Sequence, residues 1–305
     1  MCLLIQTNLS DFDYNDRMKT LFLLLIATLL TATEVEIEVL GSGGPEIDGR
    51  ASASYLLWID NRARLLIDTG SGSMLRFQQS GAKLEDLEAI ALTHLHIDHA
   101  VDLPSYIKAG YFTSRNRSLP ILGPVGNQYF PGTKEFIQTL FGKKGAYRYM
   151  SDVLTPQSDS FEIIPESIDA PKLLTRRFKS FNLSIINVNH GIVPALGFRI
   201  DIGDKSIVIS GDTSNVNGQL EKLSRDANLF IAHHAIPEIH GTYANNLHMT
   251  PSIIAEIANK SKVKKVLLSH RMKRTIGNEE KSLNVMYKTY KGEIVFAEDR
   301  MKVKL

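Results

Sequence analysis

Three imidazoles and a carboxylate fall within six residues, His94-Leu95-His96-Ile97-Asp98-His99, directly after the apolar stretch 89–92 and Thr93. The chain of 305 residues holds only nine histidines, so chance is a poor account of the cluster. Imidazole nitrogen and carboxylate oxygen are the donors that zinc and similar divalent ions take. A strand that runs straight into such a cluster holds it in a short loop, which can aim the donors at two neighbouring points. Any fold of this chain has to end an apolar strand at that loop.

Other strands end in the same way. Residues 35–39 alternate polar and apolar, as a half-buried strand does, and run into the Gly/Pro turn 41–45. Residues 54–59 and 64–67 read as a hairpin around Asp60-Asn61, the second strand ending at Asp68-Thr69-Gly70. Residues 85–92 are an acidic turn feeding the strand that delivers His94. Further strands are expected at 183–188, 196–202, 207–209 and 229–232. Thr250 as cap and Pro251 at the first helical position open a helix over 251–260. Residues 263–268 form a strand ending at Ser269-His270, 281–290 a helix and 293–296 a last strand. The stretch 104–181 is less regular and holds the basic run 142–148, with Lys143, Lys144 and Arg148. Strand ends that deliver His or Asp into loops imply one α/β domain over 34–305, with its site along one edge of packed sheets.

Hydrophobic residues make up 43% of the chain and charged residues 22%, ordinary values for a soluble protein with a core. A net charge of +2 gives no strong pull toward nucleic acid or anionic lipid. Met18-Lys19, an apolar run over 21–30 and the small-residue exit 31–33 describe a secretory signal peptide. Residues 1–17 then read as an upstream extension, with Met18 the true start. The apolar run is shorter than the roughly 20 residues that a membrane span needs. A buried helix or an uncleaved anchor are the alternatives. A mature chain from about Thr33 lacks the sole cysteine, Cys2, and so has neither disulfide nor thiolate ligand. It is expected to be exported, periplasmic or secreted, with no stable membrane span.

His-x-His-x-Asp-His after a strand resembles the signature of the metallo-β-lactamase superfamily, and the rest of that pattern follows in order. Asp68 is similar to the superfamily's early supporting aspartate, His190 to its third histidine, Asp212 in Gly211-Asp212-Thr213 to its bridging aspartate and His270 to its last histidine. The resemblance covers about residues 35–300. It implies an αββα sandwich, two mixed β-sheets packed face to face with helices outside. It also implies two divalent ions, zinc suiting the donor set best. One would take His94, His96 and His190; the other Asp98, His99 and His270; Asp212 would be shared. Such a pair lies about 3.5–4 Å apart, acidifies a bridging water and polarises the substrate. Asp68 would orient a ligand histidine instead of binding metal.

Histidine at 96 disfavours the redox di-iron relatives, and Asp212 with no cysteine argues against true β-lactamases. The branch that the chain looks most like is ribonuclease Z with the related phosphodiesterases and arylsulfatases. Asn246-Leu247-His248-Met249-Thr250 precedes a helix about twenty residues before His270, and Ala195-Leu196-Gly197-Phe198 follows His190. This resemblance implies that His248 is a general acid, worth about 10²–10⁴-fold in rate, with Asp98 the other catalytic residue. The chain also departs from ribonuclease Z. His233-His234-Ala235-Ile236 stands where that family has His-Glu-Ala-Thr, so His234 replaces the glutamate that would pair with the acid histidine. The early proline-lysine-arginine-asparagine loop has no match in 43–50.

Three functions follow as expectations. The first is an exported hydrolase of a small or medium anionic ester, a phosphodiester or sulfate ester. In that case 104–181 is a substrate lid inserted in the fold, not an RNA-gripping arm, and nucleic acid is not the favoured partner. The second is a ribonuclease Z-type 3′-tRNA endonuclease, with the N-terminus misread. The third is a catalytically silent metal-binding protein of the same fold. A homodimer is left open, and His240 is unassigned.

Overall fold

Alternation of side chains decides how the first strands are covered. In Val35–Gly41 (β1) and Ser54–Ile59 (β2), Val35, Ile37, Val39, Tyr55, Leu57 and Ile59 share one face, and Leu40 and Leu56 point to the other. A sheet that is apolar on both faces has to be covered twice. Each fully buried aliphatic side chain stabilises that covering by roughly 1.5–3 kcal/mol. The computed structural model describes residues 33–156, 158 and 160–305, with Glu34–Leu305 as one compact unit. The leader expected over 1–33, with Met18 and Cys2, lies outside the described residues but for Thr33.

The strands continue as Arg62–Ile67 (β3), Ala89–Ala91 (β4), Leu119–Pro124 (β5), Ile163–Ile168 (β6), Leu174–Arg177 (β7), Asn182–His190 (β8) and Val193–Ile202 (β9). Lys205–Ile209 (β10), Leu229–His233 (β11), Lys265–Ser269 (β12), Glu293–Phe296 (β13) and Lys302–Lys304 (β14) complete them. They form two seven-stranded sheets, β14-β1-β2-β3-β4-β5-β6 and β13-β12-β11-β10-β9-β8-β7. Both are mixed: β3 to β6 and β10 to β13 run parallel, and the other pairs run antiparallel. In the β2–β3 turn Asp60 and Asn61 sit at φ 49° and 59°, the left-handed pair that a two-residue hairpin loop requires.

One core lies between the sheets, where Tyr55, Leu57 and Ile67 meet Leu196, Phe198 and Ile231. Outside the first sheet, Ser73–Gln79 (α1), Leu103–Gly110 (α3) and Thr133–Phe141 (α4) pack Phe77, Tyr106, Ile107 and Phe141 against it; the one-turn Ile97–Ala100 (α2) precedes α3. Outside the second, Gln219–Leu223 (α5), Pro251–Lys260 (α6) and Glu279–Met286 (α7) bring Leu220, Ile254, Ile257 and Met286. The architecture is the expected αββα sandwich. No helix among the described residues is long and apolar enough to cross a membrane.

The stretch 104–181 is not an insertion as a whole. It supplies most of α3, then β5, α4, β6 and β7, so both sheets are incomplete without it. Its strands were hard to read because Pro120, Pro124 and Pro165 break the apolar pattern of two parallel partners. Only its connecting loops, such as 125–132, stand at the site. Thr250 caps α6 by position, but Glu238 accepts from the Ser252 amide (2.9 Å) in place of the threonine hydroxyl.

Candidate metal centre

Every donor singled out in the sequence stands at one edge of the two sheets. β4 leads into the His94–His99 loop, β3 ends at Asp68, and β8, β10, β11 and β12, all pointing the same way, end at His190, Asp212, His233 and His270. Carboxyl ends of parallel strands are where open α/β sheets hold ligands. The local backbone is unusual there. Asp68 and His270 lie at φ 56° and 51°, a region that side chains with a Cβ occupy at some cost. Gly70 packs so closely that a Cβ would come within 2.3 Å of the Asp98 carbonyl oxygen, so no other residue fits.

The donors form two nests, with a third group, His190, Asp212 and His248, overlapping both. His94, His96 and His190 make the first, with His94 Nε2 3.0 Å from His96 Nδ1. His99, Asp212, His233 and His270 make the second. Asp98 joins it, its Oδ2 3.1 Å from His270 Nε2 and 3.5 Å from His99 Nε2. Asp212 stands between: its Oδ2 lies 3.8 Å from His99 Nε2, 3.8 Å from His190 Nε2, 3.6 Å from His270 Nε2 and 3.8 Å from His248 Nδ1.

Hydrogen bonds behind the nests select which ring nitrogens face inward. Asp68, fully buried, accepts from the Thr93 amide (2.7 Å), the Thr93 hydroxyl (2.8 Å) and His99 Nδ1 (2.8 Å). His190 Nδ1 donates to the Leu247 carbonyl (2.9 Å). The opposite nitrogens, His99 Nε2 and His190 Nε2, are buried with no hydrogen-bond partner. Buried polar atoms seldom stay unpaired, and inward-facing ring nitrogens, one in each nest, are what divalent ions require once the imidazoles are neutral. The donor set fits such ions.

Charge in the centre is strongly polarised. Burial pushes His94 well below the ordinary imidazole range, His233 down to about 4 and His248 down to about 3. Burial would also lower His99, but Asp68 and Asp98 draw a proton onto it and raise it to about 9. Burial opposes charge on Asp98, yet His99 and His270 hold its carboxyl down at about 2. A cation bound there competes with those protons.

His233 had no role in the sequence reading, yet its Nδ1 bonds Asp212 Oδ1 (2.7 Å) and its Nε2 lies 3.0 Å from the Tyr55 hydroxyl, which donates to Ser269 Oγ (2.9 Å). His234, which replaces the glutamate of the ribonuclease Z pattern, has a partner away from His248. Successive side chains at a strand end face opposite ways, so His234 turns to the helix side and meets Ser282 Oγ (3.1 Å). His248 is buried, its Nδ1 without a hydrogen-bond partner. His240 is largely exposed beside Glu238 (3.1 Å) and takes no part.

Residues 47–270 match the family model described as the metallo-beta-lactamase superfamily. The chain belongs to that superfamily. Among curated members it is 28% identical over 187 residues to a ribonuclease Z of Mycobacterium sp. (strain KMS), a match spanning 59% of this chain and about three-fifths (61%) of that relative. A ribonuclease Z of Mycolicibacterium paratuberculosis is 25% identical over 288 residues, 89% of this chain and 98% of the relative. Among solved structures of the superfamily's fold, the chain resembles YhfI from Bacillus subtilis (TM-score 0.69, 19% identity, 90% and 100% of the two chains). It also resembles human tRNase Z, short form (TM-score 0.67, 22% identity, 88% and 98%).

Proposed function

We propose that the chain is a hydrolase that uses two divalent ions, zinc by its donor set, to cleave an anionic ester, a phosphodiester or a sulfate ester. The observation that carries this reading is Asp212 Oδ2, within 3.8 Å of nitrogens from both nests. His94, His96 and His190 would hold one ion, Asp98, His99 and His270 the other, and Asp212 both. When bound, such ions supply Lewis acidity and lower the pKa of a water.

The chain's own groups account for the remaining steps. Asp68 fixes His99 with its Nε2 inward. Asp98, held ionised beside His270, is the carboxylate placed to accept a proton from the attacking water. His248, buried and 3.8 Å from Asp212, would protonate the leaving oxygen from its imidazolium form, which the negative charge of an ester bound beside it favours against the burial that lowers it. An anionic substrate is favoured by Arg274. Its Nε donates to the Ala235 carbonyl (2.6 Å), no carboxylate among the described residues stands in ion-pair contact with it, and its charge is felt at Glu46, Asp212 and His248.

Metal-loaded protein should turn over bis-p-nitrophenyl phosphate or an aryl sulfate, but not a lactone or thioester at comparable rate. Inactivity on both anionic esters removes the reading. The mycobacterial ribonuclease Z matches favour a second reading, cleavage of precursor tRNA after the discriminator base, for which that RNA is the direct test. An Asp212→Ala chain that kept its native function would instead favour a silent metal-binding protein. Export is proposed from residues 18–33, and mass spectrometry of the mature N-terminus checks it.

A further inference from the structure

The mouth of the metal centre has two unlike sides. On the His190 side, the loops 125–132, 191–192, 213–218 and 234–250 contain no Lys, Arg or Asp and a single Glu, Glu238. They hold large apolar side chains in water: Tyr129 is 65% exposed, Ile192 58%, Tyr243 70% and Val216 77%. Ile97, between His96 and Asp98, is 77% exposed.

These loops are tied to each other and to the ligands. Asn127 Nδ2 donates to the Ile192 carbonyl (2.7 Å), the Gly191 amide to the Asn246 carbonyl (3.2 Å), and the Phe130 ring lies 5.9 Å from that of His96. A cleft of about 520 Å³ opens among three of them, beside Gly191, Ser214, Val216 and Asn246; its charged liners, Glu221 and Glu256, are acidic. The rim that carries Arg50, Arg271, Lys273 and Arg274 is charged instead, with Glu46, Asp48, Glu279 and Glu298 set among these cations. Arg50 pairs with Asp48 and Arg271 with Glu279; Arg274, acted on by Glu46 and Asp212, has no carboxylate in ion-pair contact among the described residues and is the arginine that an anion can meet.

Large apolar groups held in water around a reactive centre mark a surface that a ligand covers. We infer that the ester is amphiphilic: its acidic group faces Arg274, and an uncharged aryl or alkyl substituent lies across Ile97, Tyr129, Ile192 and Tyr243. A polynucleotide carries phosphate on both sides of the scissile bond and would find cations on one side only. This inference rests on the hydrolase reading and narrows its substrate.

The test is a series of alkyl 4-nitrophenyl phosphodiesters from methyl to hexyl, with one leaving group, on the zinc-loaded protein. kcat/KM should rise about two- to fourfold per added methylene, as burial of a CH₂ requires. Ile192→Asp and Tyr243→Ser should each bring the hexyl-to-methyl ratio toward one, with metal content and melting temperature monitored to exclude misfolding. A flat series with the methyl ester turned over overturns this inference alone. Inactivity on every member overturns the hydrolase reading with it. A dinucleotide cleaved faster than the hexyl ester also overturns it and points to nucleic acid.

Discussion

The two halves of the candidate metal centre are assembled by different means. The first-sheet half takes His94, His96, Asp98 and His99 from one loop after β4, braced by Asp68 from the neighbouring β3. The second-sheet half gathers His190, Asp212, His248 and His270 from four separate segments, and only the register of β8 to β12 and their packing brings them together. A local half can keep its shape when a distant contact is lost. A distributed half cannot, and the atom that joins the two, Asp212 Oδ2, is where the difference matters most.

Removing that atom should have the largest effect. Asp212→Ala is expected to lower kcat by about three orders of magnitude, the equivalent of several kcal/mol of lost Lewis-acid stabilisation. Bound metal, read by elemental analysis, should fall to one ion or fewer; two ions retained would show that the nests are independent. Chelation tests the same dependence through stability. Ligand at a thousandfold its Kd stabilises a fold by about 4 kcal/mol, so the metal-free protein should melt lower and zinc should restore it. An unchanged melting curve would mean that packing alone holds the distributed half.

His248→Ala should lower kcat by about 10²-fold or more on esters with a poor leaving group, and far less on 4-nitrophenyl esters, which need no proton. Equal losses on both would assign His248 to packing. The smallest effects belong to the groups behind the ligands, where losses of 10- to 100-fold in metal affinity are usual. Asp68→Asn should lie near the upper end, because one carboxylate ties the Thr93 amide, the Thr93 hydroxyl and His99 together. His233→Gln should lie near the lower end, since its hydrogen bonds reach one ligand carboxylate, Asp212, and Tyr55, and it otherwise stacks on the His270 ring. Competitive metal titration ranks them, and the reverse order would contradict the contrast between a local and a distributed half.

Much of the fold was legible because strand ends advertise themselves. Apolar runs at 229–232 and 263–268 stop at a histidine or just before one, and the structure makes both of them strands. Asp60-Asn61 announced its hairpin by residue type alone. The region 104–181 was misjudged because proline-bearing parallel strands lack a clean period, and their pairing is decided by neighbours far off in the chain. The face that His234 takes was not legible in the sequence, because it depends on which side of β11 the helices occupy.

The residues themselves determined the chemistry of the centre, its donor types, their order and the edge that carries them, because those follow from short-range pattern and from what imidazole and carboxylate bind. Only the tertiary structure decided that Asp212 stands between two nests, that His233 braces it, and that one side of the mouth is apolar while the other presents Arg274. Such distances depend on sheet register and on packing between segments remote in the chain, and no local pattern encodes them.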